Sequence, residues 1–338
     1  METITTGPVE PGAATPPPRP TTASTLARVA WATAWGVVAV LVWIVVSRLF
    51  GITFPARITV LLQALLPLVF LPAYAIGIVA AIRRRWALSA VCVVLAVVHV
   101  ASIYPATGHR PLPAWASSAP RLTVLEANMF DRNDQPDAAA ARIMSSGADV
   151  LVLVELESGT LSALRQAGID SAYPYSTLPK GRFRTDAIWS KRLLTPGQAA
   201  TRDGYKARAT IDVDGRPLEL VAVHVDNAIR GRDVWNNEIN ELGDLATSLD
   251  RAVALVGDFN ATRWNPPFGR LLGRGLHDAH EATGQGLSRS WPNVPVPIPL
   301  MRLDHAVVND RVGVVSVHDY TVPGSDHRGF VTELAVGQ

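Results

Sequence analysis

The groups that could do chemistry in this chain lie in short polar segments, each following an apolar run. Gly257-Asp258-Phe259-Asn260 comes directly after Arg251 to Val256 and sets a carboxylate and a carboxamide two residues apart at the expected end of a strand. The glycine permits a tight exit from that strand. The two oxygen-bearing side chains can hold a metal-bound phosphate or position a water. Asn128, Glu155, His224, Asp304, Asp326 and His327 each stand at or just beyond the end of another strand-like run. One cleft that collected all of them would be equipped for chemistry on a phosphate.

The elements that must position these groups are legible as apolar runs. Strand-like stretches are Leu122 to Ala127, Asp149 to Val154, Asp186 to Trp189, Ala207 to Val213, Leu218 to Val223, Ala252 to Val256, His305 to Val308, Val312 to Val317 and Phe330 to Ala335. Asp137 to Ser146 is Ala-rich and reads as a helix. Asp233 to Leu249 carries Val234, Ile239, Leu242 and Leu245 at helical spacing after a capping Asp. Many strands with a few helices between them predict an α/β sandwich rather than a simple doubly wound sheet.

Residues 26–106 are of a different kind, mostly Ala, Val, Leu, Ile and Trp. Three transmembrane helices are expected, at Leu26 to Phe50, Ile58 to Ile82 and Trp86 to Tyr104, each near the roughly 20 residues that cross a hydrocarbon core. Arg83-Arg84-Arg85 lies between the second and third, and the positive-inside tendency makes that turn cytoplasmic. The domain after the third span is then extracytoplasmic, on a multi-pass protein of the cell membrane. Arg48 and Arg57 in the first loop argue the other way. A cleaved signal peptide competes for the first span, but two further spans follow it.

Residues 1–25 are rich in Pro, Thr, Gly and Ala and read as a disordered cytoplasmic tail, and residues 107–120 read as a linker to a domain at 121–338. The sole cysteine, Cys92, falls in the third span, so the outer domain has no disulfide framework. Residues 1–115 hold 8 of the 31 Lys and Arg and 2 of the 29 Asp and Glu, which leaves the remainder at net −4. Proteins that grip long nucleic acid non-specifically present a positive face, so this balance counts against a general nuclease. No protein partner is expected.

The segments Leu-Glu-Ala-Asn128, Ala-Asp-Val-Leu-Val-Leu-Val-Glu155, Val-Ala-Val-His224, Gly-Asp258-Phe-Asn260, Leu-Asp304-His305 and Ser-Asp326-His327 occur in an order that resembles the endonuclease/exonuclease/phosphatase superfamily over roughly residues 121–338. The resemblance implies a DNase I-like four-layer α/β sandwich and a metal-dependent hydrolase of phosphoester or pyrophosphate bonds. It implies Mg2+ as cofactor, with Mn2+ an alternative, held by Glu155 with Asn128 and, in some members, Asp326. It makes His327 the group at the scissile phosphate, Asp304 its partner at the other ring nitrogen, Asp258 the residue that aligns the water, and Asn260 and His224 phosphate contacts, His224 also a proton donor to the leaving group.

Plainer readings compete: a polar turn for Asp326-His327, a structural salt bridge for Asp304, a satisfied strand cap for His224. His305 is expected to be structural, because alternation turns it away from Asp304. His277 and His280 are read as surface residues, and Tyr173 or Tyr175 as candidates for a catalytic tyrosine with packing as the rival. Val154 stands where many members have Gln, and Asp186 to Lys191 departs from the usual Gly-containing strand.

Three spans before such a domain look like the actinobacterial membrane-anchored subgroup associated with teicoplanin resistance. That likeness implies a lipid-linked phosphate substrate such as undecaprenyl pyrophosphate. A membrane-anchored extracellular nuclease or phosphodiesterase and a non-catalytic binding or sensing module are the alternatives. The apolar, Pro-rich stretch 290–301 is read either as a rim beside the site that dips toward the membrane or as an ordinary packed loop.

Overall fold

The computed structural model describes residues 22–178, 185–198, 206–294 and 298–338. The expected tail therefore lies, but for its last residues, outside the described part. The apolar third forms helices α1 (Thr22–Leu49), α2 (Ala56–Ala64), α3 (Leu66–Val69), α4 (Leu71–Ile82) and α5 (Trp86–Ile103). These helices are filled with Val, Ala, Leu, Ile and Trp, and in lipid every backbone group must be satisfied within the helix. Large apolar side chains such as Val40, Ile78, Val79, Val93, Val94 and Val97 face outward, as lipid-facing surfaces do and water-facing ones do not.

Two helices, Thr25–Leu49 and Trp86–Thr107, are each long and apolar enough to cross a membrane. The expected second span is not one helix. It is bent by 78° between Arg57–Ala64 and Leu66–Ile82, and three spans result only if that bent pair counts as one. Pro67 sits in the first turn of α3 and Pro72 in the first turn of α4, where a missing N–H costs nothing but a preceding helix cannot run through unbroken. Arg85 lies over the Trp31 ring near the start of α1, whereas Arg48, at the end of α1, donates from Nε to the Trp264 carbonyl at 2.9 Å. The arginine triplet and the second domain thus sit at opposite ends of the helices. Arg48 lies in the last turn of α1 and not in the first loop, and it is an internal tie.

The rest builds two sheets. One takes β1 (Arg121–Asn128), β2 (Val150–Leu156), β3 (Tyr175–Thr177), β4 (Thr185–Ser190), and the last two strands of the chain. The other takes β5 (Leu194–Pro196), β6 (Arg208–Val213), β7 (Arg216–His224), β8 (Ala252–Asp258), β9 (His277–Asp278) and β10 (Asp304–Val308). β11 (Val312–Thr321) and β12 (Arg328–Val336) then complete the first sheet. The orders are β11-β12-β1-β2-β4-β3 and β5-β6-β7-β8-β10-β9.

Leu122, Val124, Val150 and Val152 from one sheet meet Leu218, Leu220, Ala222 and Ala254 from the other. The alternate residues Leu125, Leu151 and Leu153 face outward onto α6 (Pro136–Met144) and α7 (Ser158–Gln166), with the short α8 (Ile169–Ala172) beside them. On the far side Val221, Val253 and Leu255 pack under α9 (Arg232–Ser248) and α10 (Pro266–Leu272). α11 (Ala279–Ala282) is a single turn beside β10. Both faces of each sheet are covered, which is why the strands read as continuous apolar runs. This is the four-layer α/β sandwich expected.

Two expectations are corrected. Residues 107–120 are not a free linker: Ala114–Ser117 forms a turn whose Ala116 is buried against Ala335. α9 starts at Arg232 with Gly231 in the capping position and no side-chain cap, so Asp233 sits in its first turn instead.

Candidate active site

The parallel and antiparallel registers of β7, β8 and β10 put His224 opposite Asp258 and Asp258 opposite Asp304. Residues paired across neighbouring strands share a face, so these three form one row at the end of the second sheet. Gly257 is what lets the row close. Its φ is +144°, and a Cβ there would lie 2.0 Å from the Val223 carbonyl oxygen. From the first sheet, Asn128 ends β1, and Glu155 enters through an irregularity in the pairing of β2 with β4 between Leu153 and Leu156. Glu155 has φ 53° and Asn260 has φ 47°, a left-handed backbone that is uncommon outside glycine and re-aims a side chain at the cost of local strain.

The distances bring the sequence candidates together. The Asn128 amide nitrogen donates to Glu155 Oε1 at 3.2 Å and to Asp258 Oδ2 at 3.1 Å, while its oxygen accepts from the Phe130 N–H at 2.9 Å. His224 Nε2 lies 3.1 Å from Glu155 Oε1, and its Nδ1 is 3.7 Å from Asp186. His327 Nδ1 is 2.8 Å from Asp304 Oδ2, and its Nε2 lies 3.8 Å from Asp258 Oδ2. Asn260 is held from both sides: its N–H donates to Asp258 Oδ1 at 2.7 Å and its amide nitrogen to the Val225 carbonyl at 2.9 Å. Asp326 accepts from the Trp291 indole at 3.3 Å and lines the same cavity.

Burial in this crowded cluster sets the charges. Burial pushes Glu155 up, but the His224 and Asn128 contacts bring it down to about 2, so it is ionised. Burial would lower His224, yet Glu155 and Asp186 outweigh it and raise the ring to about 9. His327 is likewise lowered by burial but raised overall, to about 10, by Asp304 and Asp258. Burial lifts Asp258 and Asp326 above the ordinary Asp value and Asp186 to about 6. At neutral pH the arrangement is two cationic imidazoles set among carboxylates.

A divalent cation fits this donor set. The ligand atoms of Glu155, His224 and Asp258 lie within 4.8 Å of one another, and Asp326 adds a further carboxylate to the cavity. Carboxylate oxygens with room for water suit a hard ion. Glu155 and Asp326 would be the anionic donors; Asn128 presents its amide nitrogen to Glu155 and Asp258, so its oxygen would join them only by giving up the Phe130 N–H.

Several groups in or beside the cluster were not singled out from the sequence. Asp186 sits beside His224 Nδ1, and its signal was an acid immediately before the apolar run Ala187 to Trp189. Asn227 donates to Asn260 Oδ1 at 3.4 Å. Glu126 is fully buried in β1 with neither oxygen hydrogen-bonded, and burial together with Asp304 and Asp258 holds it well above the carboxylate range; an acid inside the run Leu122 to Ala127 was its signal. Lys206 and Glu238 form a buried pair at 3.0 Å, and Glu238 also accepts from the Asp226 N–H, pinning the loop after β7.

Of the residues set aside, His305 is structural, 2.7 Å from Asp278 and 3.0 Å from the Ala261 carbonyl. His277 is at the surface, bonded to Asp310. His280 is not: it is fully buried against Phe330 with Asp319 at 3.6 Å, because α11 tucks its face under β11. Tyr173 is packed, donating to the Ala148 carbonyl, and Tyr175 is exposed; neither lines the catalytic cavity.

A sequence profile of the Endonuclease/Exonuclease/phosphatase family matches residues 126–327. No curated protein matches the chain. Among solved structures, truncated Caenorhabditis elegans TDP2 is 17% identical over 64% of this chain and 98% of its own, with a TM-score of 0.50. D. rerio TDP2 complexed with a single strand DNA product is 17% identical over 64% and 99%, with a TM-score of 0.53. An endonuclease/exonuclease/phosphatase from Bacteroides vulgatus is 14% identical over 64% and 99%, with a TM-score of 0.51. At such identities the likeness establishes the fold, and the profile establishes the lineage. With its six segments in order and its row of catalytic-type side chains assembled, the chain belongs to the endonuclease/exonuclease/phosphatase family of phosphoester hydrolases.

Proposed function

We propose that this protein is a multi-pass membrane phosphohydrolase, Mg2+-dependent, that removes a phosphate from a lipid-linked pyrophosphate such as undecaprenyl pyrophosphate on the extracytoplasmic face, and thereby contributes to glycopeptide resistance. The observation that carries the lipid substrate is how the loop after Asn260 docks. Trp264 donates to the Ser102 carbonyl at 3.3 Å, Asn265 to the Val60 carbonyl at 3.1 Å, and Arg48 to the Trp264 carbonyl at 2.9 Å. The catalytic row therefore opens within a few residues of the helix ends, where a lipid carries its head group. The arginine triplet at the far end of the helices supports the outward orientation.

The chain's own groups divide the work. His327, fixed by Asp304, holds charge on the phosphate under attack. Asp258, whose carboxylate is raised toward neutrality, orients the water and takes its proton as oxygen bonds to the terminal phosphorus. The bond from that phosphorus to the bridging oxygen breaks, and His224 gives the leaving lipid monophosphate its proton. A cation at Glu155 would neutralise phosphate oxygens when bound.

Full-length protein in detergent with Mg2+ is expected to release inorganic phosphate from undecaprenyl pyrophosphate and to leave plasmid DNA intact. Cleavage of plasmid without phosphate release would assign it instead to the nucleases, the reading favoured by the DNA-bound D. rerio TDP2. For orientation, an alkaline phosphatase fused after residue 110 is expected to be active in cells; an inactive fusion turns the domain to the cytoplasm.

A further inference from the structure

We propose that the membrane segment supplies half of the substrate site: helix α2 is the wall that receives the hydrocarbon chain of an amphiphilic phosphate whose head lies on the catalytic row. This rests on the lipid-phosphate reading and adds where the chain goes and which residues select it. The cavity holds about 800 Å³, within the range of roughly 300–1,000 Å³ of sites that bury most of a much larger ligand than a phosphate group. Its lining includes Glu155, His224, Asp258 and His327 and also Val60, Leu61 and Ala64 of α2, Ala64 packing with Met301 and Leu303.

The polar residues of α2 point elsewhere. Thr59 receives the Trp43 indole N–H, and Gln63 donates to Ser47 and to the Ile52 carbonyl, both within the helical segment. α2 thus commits Thr59 and Gln63 to α1 and the loop after it, while Val60, Leu61 and Ala64 line the catalytic cavity. Leu61 lines the cavity yet remains 44% exposed, an apolar side chain that gains when another apolar group covers it.

The bend makes this placement possible. Residues 66–82 pack with α5, while the 78° turn before them lets Val60 reach Asn265 and Ala64 join Leu65, Trp291, Met301 and Leu303 in one apolar cluster. Of the stretch 290–301, Trp291 and Met301 line the cavity, which favours its reading as a rim beside the site.

The test uses full-length protein in one detergent at fixed concentration, with a homologous series of prenyl diphosphates of five, ten and fifteen carbons, and reads kcat/KM for each. Each methylene that enters the wall is worth about fourfold, so the longest member is expected to exceed the shortest by about 100-fold or more in the wild type. In Leu61→Gln, at an exposed position that tolerates polarity, and in Ala64→Phe, which fills the groove, that ratio is expected to fall at least about tenfold. Partition into detergent is common to all three proteins and cancels. An identical ratio in wild type and both variants overturns the inference while leaving the lipid-phosphate reading standing. No turnover of any member, with turnover of DNA instead, overturns both.

Discussion

Replacing His327 with alanine is expected to lower kcat about 10³-fold, within the range of 10²–10⁴ that positioned acid, base or charge-stabilising groups supply. The ring is almost completely buried, anchored at 2.8 Å by Asp304 and turned so that Nε2 faces Asp258 at 3.8 Å. With both carboxylates beside it the imidazole stays protonated at neutral pH, its value raised to about 10 although burial opposes this. In the mechanism proposed above, such a ring serves as a fixed cation on the phosphate and not as the base. Alanine leaves Asp304 buried without its partner, which itself destabilises by about 3–5 kcal/mol, so His327→Gln is the companion that keeps a donor in place. Steady-state kinetics together with near-ultraviolet circular dichroism decide the matter. A folded variant within tenfold of wild type would remove His327 from the mechanism.

Glu155→Gln is expected to abolish tight divalent-cation binding and to lower kcat by a similar factor, about 10³-fold. The substitution keeps size and hydrogen bonding to Asn128 but removes the charge of a carboxyl brought down to about 2 by its neighbours. Calorimetric titration with Mg2+ and with Mn2+ reads the loss directly. Treating the wild type with a chelator should reproduce the variant's rate, and restoring Mg2+ should rescue the wild type alone. Wild-type cation affinity in the variant would place the ion elsewhere.

What could be read from the sequence follows from burial. Each strand of the central sheets is covered on both faces, so it appears as an uninterrupted apolar run, and the first polar residue after it marks the rim where a site can form. Asn128, Glu155, His224 and Asp258 were found in that way, Asp304 stands immediately before its run, and all five converge. The short strands Tyr175–Thr177 and Leu194–Pro196 and the helix Ser158–Gln166 were missed, because edge strands and half-covered helices carry too few apolar residues to show a period. The bend at residues 64–66 was missed for another reason. Hydropathy sums composition and carries no direction, so only Pro67 and Pro72 could have announced it. His280 misled because a single-turn helix has no face that a sequence pattern can reveal, and Asp186 was passed over as the start of a strand when it was also a partner of His224.

The row formed by His224, Asp258 and Asp304 has a consequence for how this protein tolerates change. The three side chains share a face only because three strands are in one register, and Gly257 beside Asp258 is the residue that fits against the Val223 carbonyl. Shifting β8 by a single position would bring a side chain into that contact and rotate Asp258 to the opposite face. An insertion or deletion between residues 252 and 258 would therefore abolish turnover even where the sandwich still forms. Turnover becomes a reporter of strand alignment, sensitive to a slip that spectroscopic measures of secondary structure would not register.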